Sequence, residues 1–107
     1  MTFNIYKQGT LAGVLEYQPE SGFTFCYDAQ ILKSNPMPVS LSLPVRSEPY
    51  TSPYLFPAFS NLLPEGANRE KLCQLNKIDE DDDLALLGYL ADRGHGFIGD
   101  LDFERAG

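Results

Sequence analysis

The stretch Phe59-Ser60-Asn61-Leu62-Leu63-Pro64-Glu65-Gly66 separates two halves of the chain that differ in periodicity. Phe56, Phe59, Leu62 and Leu63 are spaced three and four apart, as one helical face requires. Pro57 fits only the first turn of such a helix. Pro64 closes it, since proline offers no N–H to the helical ladder and its ring clashes with the preceding turn. Gly66 then permits a chain reversal, because without a Cβ it enters the left-handed region freely. Upstream of this run apolar residues recur every second position; downstream they recur with a helical period.

Upstream, Phe3 and Ile5 alternate with Asn4, and Gln8-Gly9-Thr10 is a turn signal. Leu11, Gly13, Leu15 and Tyr17 fall on one face, with Ala12, Val14 and Glu16 on the other. After a second turn at Pro19-Glu20-Ser21-Gly22, Phe23, Phe25 and Tyr27 alternate with Thr24, Cys26 and Asp28. Strict alternation between turn clusters predicts half-buried antiparallel strands. Val39, Leu41 and Leu43 alternate with Ser40 and Ser42 and predict a fourth, short strand, bracketed by Pro36, Pro38 and Pro44 and so suited to a sheet edge. Residues 46–57, rich in Pro, Tyr and Ser, read as a surface loop.

Downstream, a helix is expected from Ala67 to Leu75, with Arg69, Glu70 and Lys71 outward and Leu72 and Leu75 inward. Another follows Ile78. Asp79, Glu80, Asp81, Asp82 and Asp83 crowd its N-terminus, where negative charge complements the helix dipole. Leu84, Leu87 and Ala91 make its buried stripe, flanked by Leu86 and Leu90, and Gly94 and Gly96 end it. Residues 97–103 read as a final strand, with Phe97, Leu101 and Phe103 on one face and Asp100 and Asp102 on the other. Strands followed by helices predict an α+β fold: a small antiparallel sheet or partial barrel, with about three short helices between the fourth and last strands. The 107 residues suit a single domain spanning 1–107, and no internal repeat or low-complexity segment divides them.

Composition narrows the function. Hydrophobic residues make up 43% and charged residues 21%, a globular profile. Seven Phe and six Tyr can supply much of the core. The formal net charge of −7, with eight basic against fifteen acidic residues and no basic cluster, argues against direct nucleic-acid binding, which needs Lys and Arg to neutralise phosphates. The same acidity favours steering towards a basic partner surface. Cys26 and Cys73 form no CxxC pair and read as half-buried thiols of a reducing compartment. No run approaches the roughly twenty apolar residues of a membrane span, and the segment 1–7 lacks the layout of a signal peptide. A cytoplasmic location is the expectation.

The residues that could carry chemistry point away from catalysis. His95 is the one histidine, set between two glycines in an expected loop, and no G-x-S-x-G elbow accompanies it. The acidic run 79–83 lacks the alternate ligands, central Gly and twelfth-position Glu of an EF-hand, so a solvated helix start accounts for it, with a partner contact through its carboxylates left open. No Walker, Rossmann or kinase catalytic motif is present. Neither a cofactor nor a metal is expected. Tyr50, Tyr54 and Phe56 either form an aromatic contact surface or cover the open face of the sheet.

Several of these pieces occur together in a known family. Leu41-Ser42-Leu43-Pro44-Val45-Arg46, Pro49-Tyr50, Phe59 to Gly66 and Arg69-Glu70-Lys71-Leu72 resemble the N-terminal subdomain of HipA-type serine/threonine kinase toxins. The family pattern runs L-S-L-P-L, a Pro-Tyr pair, F-F-x-N-L-L-P-E-G and R-x-x-L, then a D-D-x-x-L-L run and a last strand with Gly. Asp82 to Leu87 and residues 96–101 fill the final two places. The resemblance covers nearly the whole chain, and its most specific part is the N-L-L-P-E-G run. Position 58 is Ala where the family often has a second aromatic.

The residues of the kinase active site, which follow this subdomain in the full-length family, are absent from the 107. The chain is therefore similar to the small antitoxin subunits (HipS) of HipB–HipS–HipT systems. That likeness implies a non-enzymatic protein that binds and inhibits a HipT-like kinase toxin, with a HipB-like DNA-binding protein joining in a ternary complex. The alternative is a non-inhibitory structural subunit, or an excised N-terminal fragment of a HipA-type kinase. The partner-facing residues expected are Leu63, Pro64, Glu65 and Gly66, with Arg69 nearby and Tyr50, Tyr54 and Phe56 as second choices. The same turn could equally serve only to hold two helices in register.

Overall fold

The structure, a computed structural model, describes residues 1–34, 38–92, 97–98 and 101–106. Their order is β1 (Thr2–Lys7), β2 (Thr10–Gln18), β3 (Gly22–Tyr27), α1 (Ala29–Ser34), β4 (Tyr50–Ser52), α2 (Pro57–Ser60), α3 (Gly66–Asn76), α4 (Asp83–Asp92), β5 (Phe97–Ile98) and β6 (Leu101–Ala106). The strands form one open sheet in the order β4-β3-β2-β1-β6-β5, every neighbour antiparallel. The fold is α+β as expected, with an open sheet rather than a closed barrel.

The first three strands follow from the alternation. Gln8 and Gly9 both have positive φ (52° and 81°) and join Lys7 to Thr10 in two residues, the geometry whose twist matches that of a hairpin. The second turn uses Gly22 at φ 81°; a Cβ there would approach the Ser52 carbonyl to 2.6 Å.

One feature of β2 departs from strict alternation. The register passes from Ile5↔Gly13 to Tyr6↔Leu11, so Ala12 is an extra residue in a β-bulge. Ala12 turns inward and is buried, and its carbonyl accepts the Asp28 N–H at 2.8 Å. Leu11 is thereby moved off the core face, where alternation alone had placed it, to the face of Tyr6. Gly13 lies under Phe25: a Cβ would come within 2.9 Å of that ring and against the Cys26 carbonyl.

The stretch expected as the fourth strand is a tight turn instead. Only an isolated bridge between Ser40 and Leu43 remains of it. The cause is Tyr27, whose buried hydroxyl donates to the Leu43 carbonyl and accepts the Val39 N–H at 3.0 Å. Pinned at both ends, the segment folds back: Val39 and Leu43 are buried, while Leu41 between them is 93% exposed. The true fourth strand is β4, within the segment that reads as a loop, and its Tyr50 pairs with Phe25. The short helix α1, which no apolar periodicity announced, contributes Ile31 to the core.

The helices after β4 fall where expected. Phe59, from α2, lies edge-on between Phe25 of β3 and Phe103 of β6, at ring-centroid distances of 5.4 and 5.6 Å. This one residue ties both halves of the sheet to the helical layer, and fully burying such a ring contributes roughly 2–3 kcal/mol. In α4, Leu86, Leu87 and Gly88 are buried, with Leu84, Leu90 and Ala91 packed partly against the core. Gly88 leaves room for the Arg105 guanidinium, which pairs with Asp92 at 3.0 Å. The helix α3 differs from expectation in its inward face: Cys73 is its one buried residue and Leu75 is 72% exposed. Gly94, His95, Gly96 and Asp100 lie outside the described residues.

Candidate partner-binding site

The turn between α2 and α3 is built by its prolines and glycine. Pro57 opens α2 at a position where a helix leaves its N–H unbonded anyway. The chain closes through Leu62 N–H to the Phe59 carbonyl (3.1 Å) and Leu63 N–H to the Ser60 carbonyl (3.2 Å). Leu63 is buried and anchors the turn, Pro64 is half-buried, and Glu65 and Gly66 are exposed. Glu65 is the extended residue that begins α3, with no side-chain cap bond. Gly66 takes φ 62° with nothing within 4 Å of the place a Cβ would occupy, so backbone conformation alone calls for glycine.

Arg69 has a structural function. Its Nε donates to the Glu80 carbonyl at 2.9 Å, and its Nη2 donates to the same carbonyl at 2.5 Å and to Asp83 Oδ1 at 2.6 Å. It therefore fastens the first turn of α3 to the start of α4. The acidic run is ordered by its own backbone: Asp82 Oδ1 accepts the Ala85 N–H at 3.0 Å and so caps α4, and Asp79 Oδ1 accepts the Asp81 N–H at 2.9 Å. Among the described residues no group of His, Cys, Asp and Glu is disposed to hold a metal ion, and no described helix is long and apolar enough to cross a membrane.

The three aromatic candidates separate. Phe56 is buried and meets Phe59 edge-on at 6.2 Å, so it belongs to the core rather than to a contact surface. Tyr50 is half-buried; its hydroxyl donates to the Pro44 carbonyl at 2.5 Å, and the Arg46 guanidinium lies 3.6 Å over its ring. Tyr54 is 78% exposed. With Tyr17 and Pro53 it walls a surface groove whose other side is Asp81 to Leu84. A neighbouring groove joins Gly66, Ala67 and Arg69 to Glu80 and Asp81. The acidic start of α4 thus lies between the exposed Tyr54 and the Glu65-Gly66 turn, an arrangement that their separation along the chain conceals. The second exposed feature that periodicity missed is Leu41: its alternation with Val39 and Leu43 points to a strand, and the Tyr27 clamp that overrides it leaves no mark in the local sequence.

Comparison with known proteins places this architecture. A family profile described as the HipA N-terminal domain matches residues 3–102. A solved structure described as the N-terminal domain of HipA toxin superposes with a TM-score of 0.71 at 26% identity, covering 99% of this chain and 94% of that one. A Haemophilus influenzae protein described as uncharacterized is 30% identical over 100 residues, which are 94% of this chain and 88% of the relative. A Sinorhizobium fredii protein provisionally named kinase Y4mE is 32% identical over 88 residues, 81% of this chain but 21% of that protein. The chain belongs to the HipA N-terminal domain family.

Proposed function

We propose that this protein is an antitoxin that binds a HipA-like serine/threonine kinase toxin of the HipT kind and restrains it, with a HipB-like DNA-binding protein held in the same complex. The observation that carries this is the pair of coverages. The same domain makes up most of the H. influenzae relative and about a fifth of the longer protein provisionally named a kinase. A domain that occurs in both settings must present a surface able to pack on the remainder of such a kinase, whether or not a peptide bond joins them. Detached, it acts through differential affinity for an inactive state of the kinase, or by covering its cleft. The contact surface proposed is the turn of half-buried Pro64 and exposed Glu65 and Gly66, together with Tyr54, while Arg69 holds the first turn of α3 in place behind it. A cytoplasmic location is part of the same reading.

Co-purification with the kinase encoded beside it tests the binding, and kinase autophosphorylation with and without the protein tests the restraint. The chain has no Trp, so any change in tryptophan fluorescence on mixing reports the kinase. A kinase that is neither bound nor slowed refutes the proposal. The match to one part of a longer protein also favours a second reading, a subunit that completes the kinase without inhibiting it. Stable binding with undiminished autophosphorylation would decide for that one.

A further inference from the structure

Every buried strand residue lies on one face of the sheet or in the β2 bulge; the opposite face contributes none among the described residues. The registers lay that face out. Cys26 of β3, Val14 of β2, Asn4 of β1 and Glu104 of β6 form one row across the strands. Leu11, Tyr6 and Asp102 form a second, and Glu16 extends the acidic character along β2. Cys26, Val14, Leu11 and the Tyr6 ring make an apolar centre, and Glu16, Asp102 and Glu104 stand at its margins.

The electrostatics of this face are one-sided. Among the described residues the strand positions on this face include no Lys or Arg. The cations nearest in sequence are engaged elsewhere: Arg105 with Asp92 at 3.0 Å, and Lys7 with the Pro38 carbonyl at 3.0 Å. Arg46 donates to the Glu48 and Pro49 carbonyls, and Arg69 bonds Asp83. Glu104 accepts from Asn4 Nδ2 and from the Tyr6 hydroxyl, both at 3.3 Å, which fixes one carboxylate at the edge of the apolar strip. From β3 to β6 the face spans three strand spacings, about 14 Å, close to the 10–12 Å diameter of one helix.

We propose that this open sheet face is a second docking surface for the kinase, and that its occupant is a helix with a narrow apolar stripe flanked by Lys or Arg. The inference rests on the kinase-binding function proposed above. Like charge disfavours a second copy of this chain on the same face, because Glu16, Asp102 and Glu104 would meet their own images. The same acidity opposes an anionic membrane surface. A basic, partly apolar helix satisfies both the carboxylates and the strip between them.

Cys26 makes the test direct, since it is exposed on this face while Cys73 is buried. Alkylation of Cys26 by iodoacetamide is followed with and without the kinase. Protection of about fivefold or more is expected, and an unchanged rate in a formed complex overturns the proposal. A charge-reversed protein, Asp102→Lys with Glu104→Lys, is compared with Glu20→Lys with Glu48→Lys, which makes the same change in net charge off this face. The first should bind the kinase roughly tenfold more weakly and the second nearly as the parent does; equal affinities overturn the proposal. If the parent protein binds no kinase, the function proposed above fails and this inference with it. If the parent binds while Cys26 stays reactive, only the docking face is wrong.

Discussion

Replacing Tyr27 with Phe removes one oxygen atom and leaves the ring in place. That oxygen serves two buried partners, donating to the Leu43 carbonyl and accepting the Val39 N–H. Both residues are buried, so water cannot readily replace it. Each orphaned backbone group costs about 1–3 kcal/mol. Some slackening of the turn recovers part of this, which leaves a net loss of about 2–4 kcal/mol. For a domain of this size that corresponds to a fall in Tm of roughly 10–20 °C.

The same oxygen gives a pH signature. Burial, foremost, raises the Tyr27 phenol above its ordinary 10.0; Tyr50 adds to this, and the Val39 N–H works against it. The folded protein then holds that proton to higher pH than the unfolded chain. The contribution is complete below about pH 10 and is lost as pH climbs through the folded value. Urea titrations of the parent and of Tyr27→Phe, at neutral pH and above pH 10, measure both effects. The difference between the two proteins should be largest at neutral pH and shrink above pH 10. A neutral-pH loss below about 0.5 kcal/mol would refute the role given to the hydroxyl.

Three further outcomes are expected. Gly13→Ala should destabilise by about 1–3 kcal/mol or more through overpacking against the Phe25 ring and the Cys26 carbonyl, as read from the shift in urea midpoint. Lys77 ends α3 in the left-handed region at φ 55°, so Lys77→Gly should stabilise by about 1 kcal/mol in thermal melts, relieving a conformation that L side chains disfavour. Glu65→Ala should leave the Tm unchanged while weakening kinase capture, whereas Arg69→Ala should lower the Tm through loss of its hold on Glu80 and Asp83; equal effects of the two on stability would contradict the division of roles between them.

Periodicity made the hairpins legible because β1, β2 and β3 bury one face against the core and leave the other without a buried side chain. It failed where a single tertiary contact outweighed local pattern. The bulge at Ala12 reverses Leu11, and nothing in residues 10–18 announces it. Val39, Leu41 and Leu43 have a strand's alternation, but a hydroxyl on another strand closes them into a turn. β4 was hidden by its Pro and Ser neighbours, and α1 by having one buried side chain, Ile31, among those described. On α3, helical spacing chose Leu75 for the interior where Cys73 sits. The candidate site was half legible: the Leu63–Gly66 turn falls where its proline and glycine dictate, but that Phe56 belongs to the core and Tyr54 to a groove beside Asp81 needed the fold.

The pairing of β1 with β6 has a consequence for biosynthesis. Thr2 lies opposite Ala106, so β1 finds one of its two neighbours only after roughly a hundred further residues have been synthesised. At about 5–20 residues per second the nascent chain waits roughly 5–20 seconds for that partner. Throughout that interval Phe3 and Ile5 lack Leu101 and Phe103, and one edge of β1 is open to pairing with a stranger. A partner that recognises the finished sheet would find only the hairpin during that window, so its binding is expected to follow the emergence of β6.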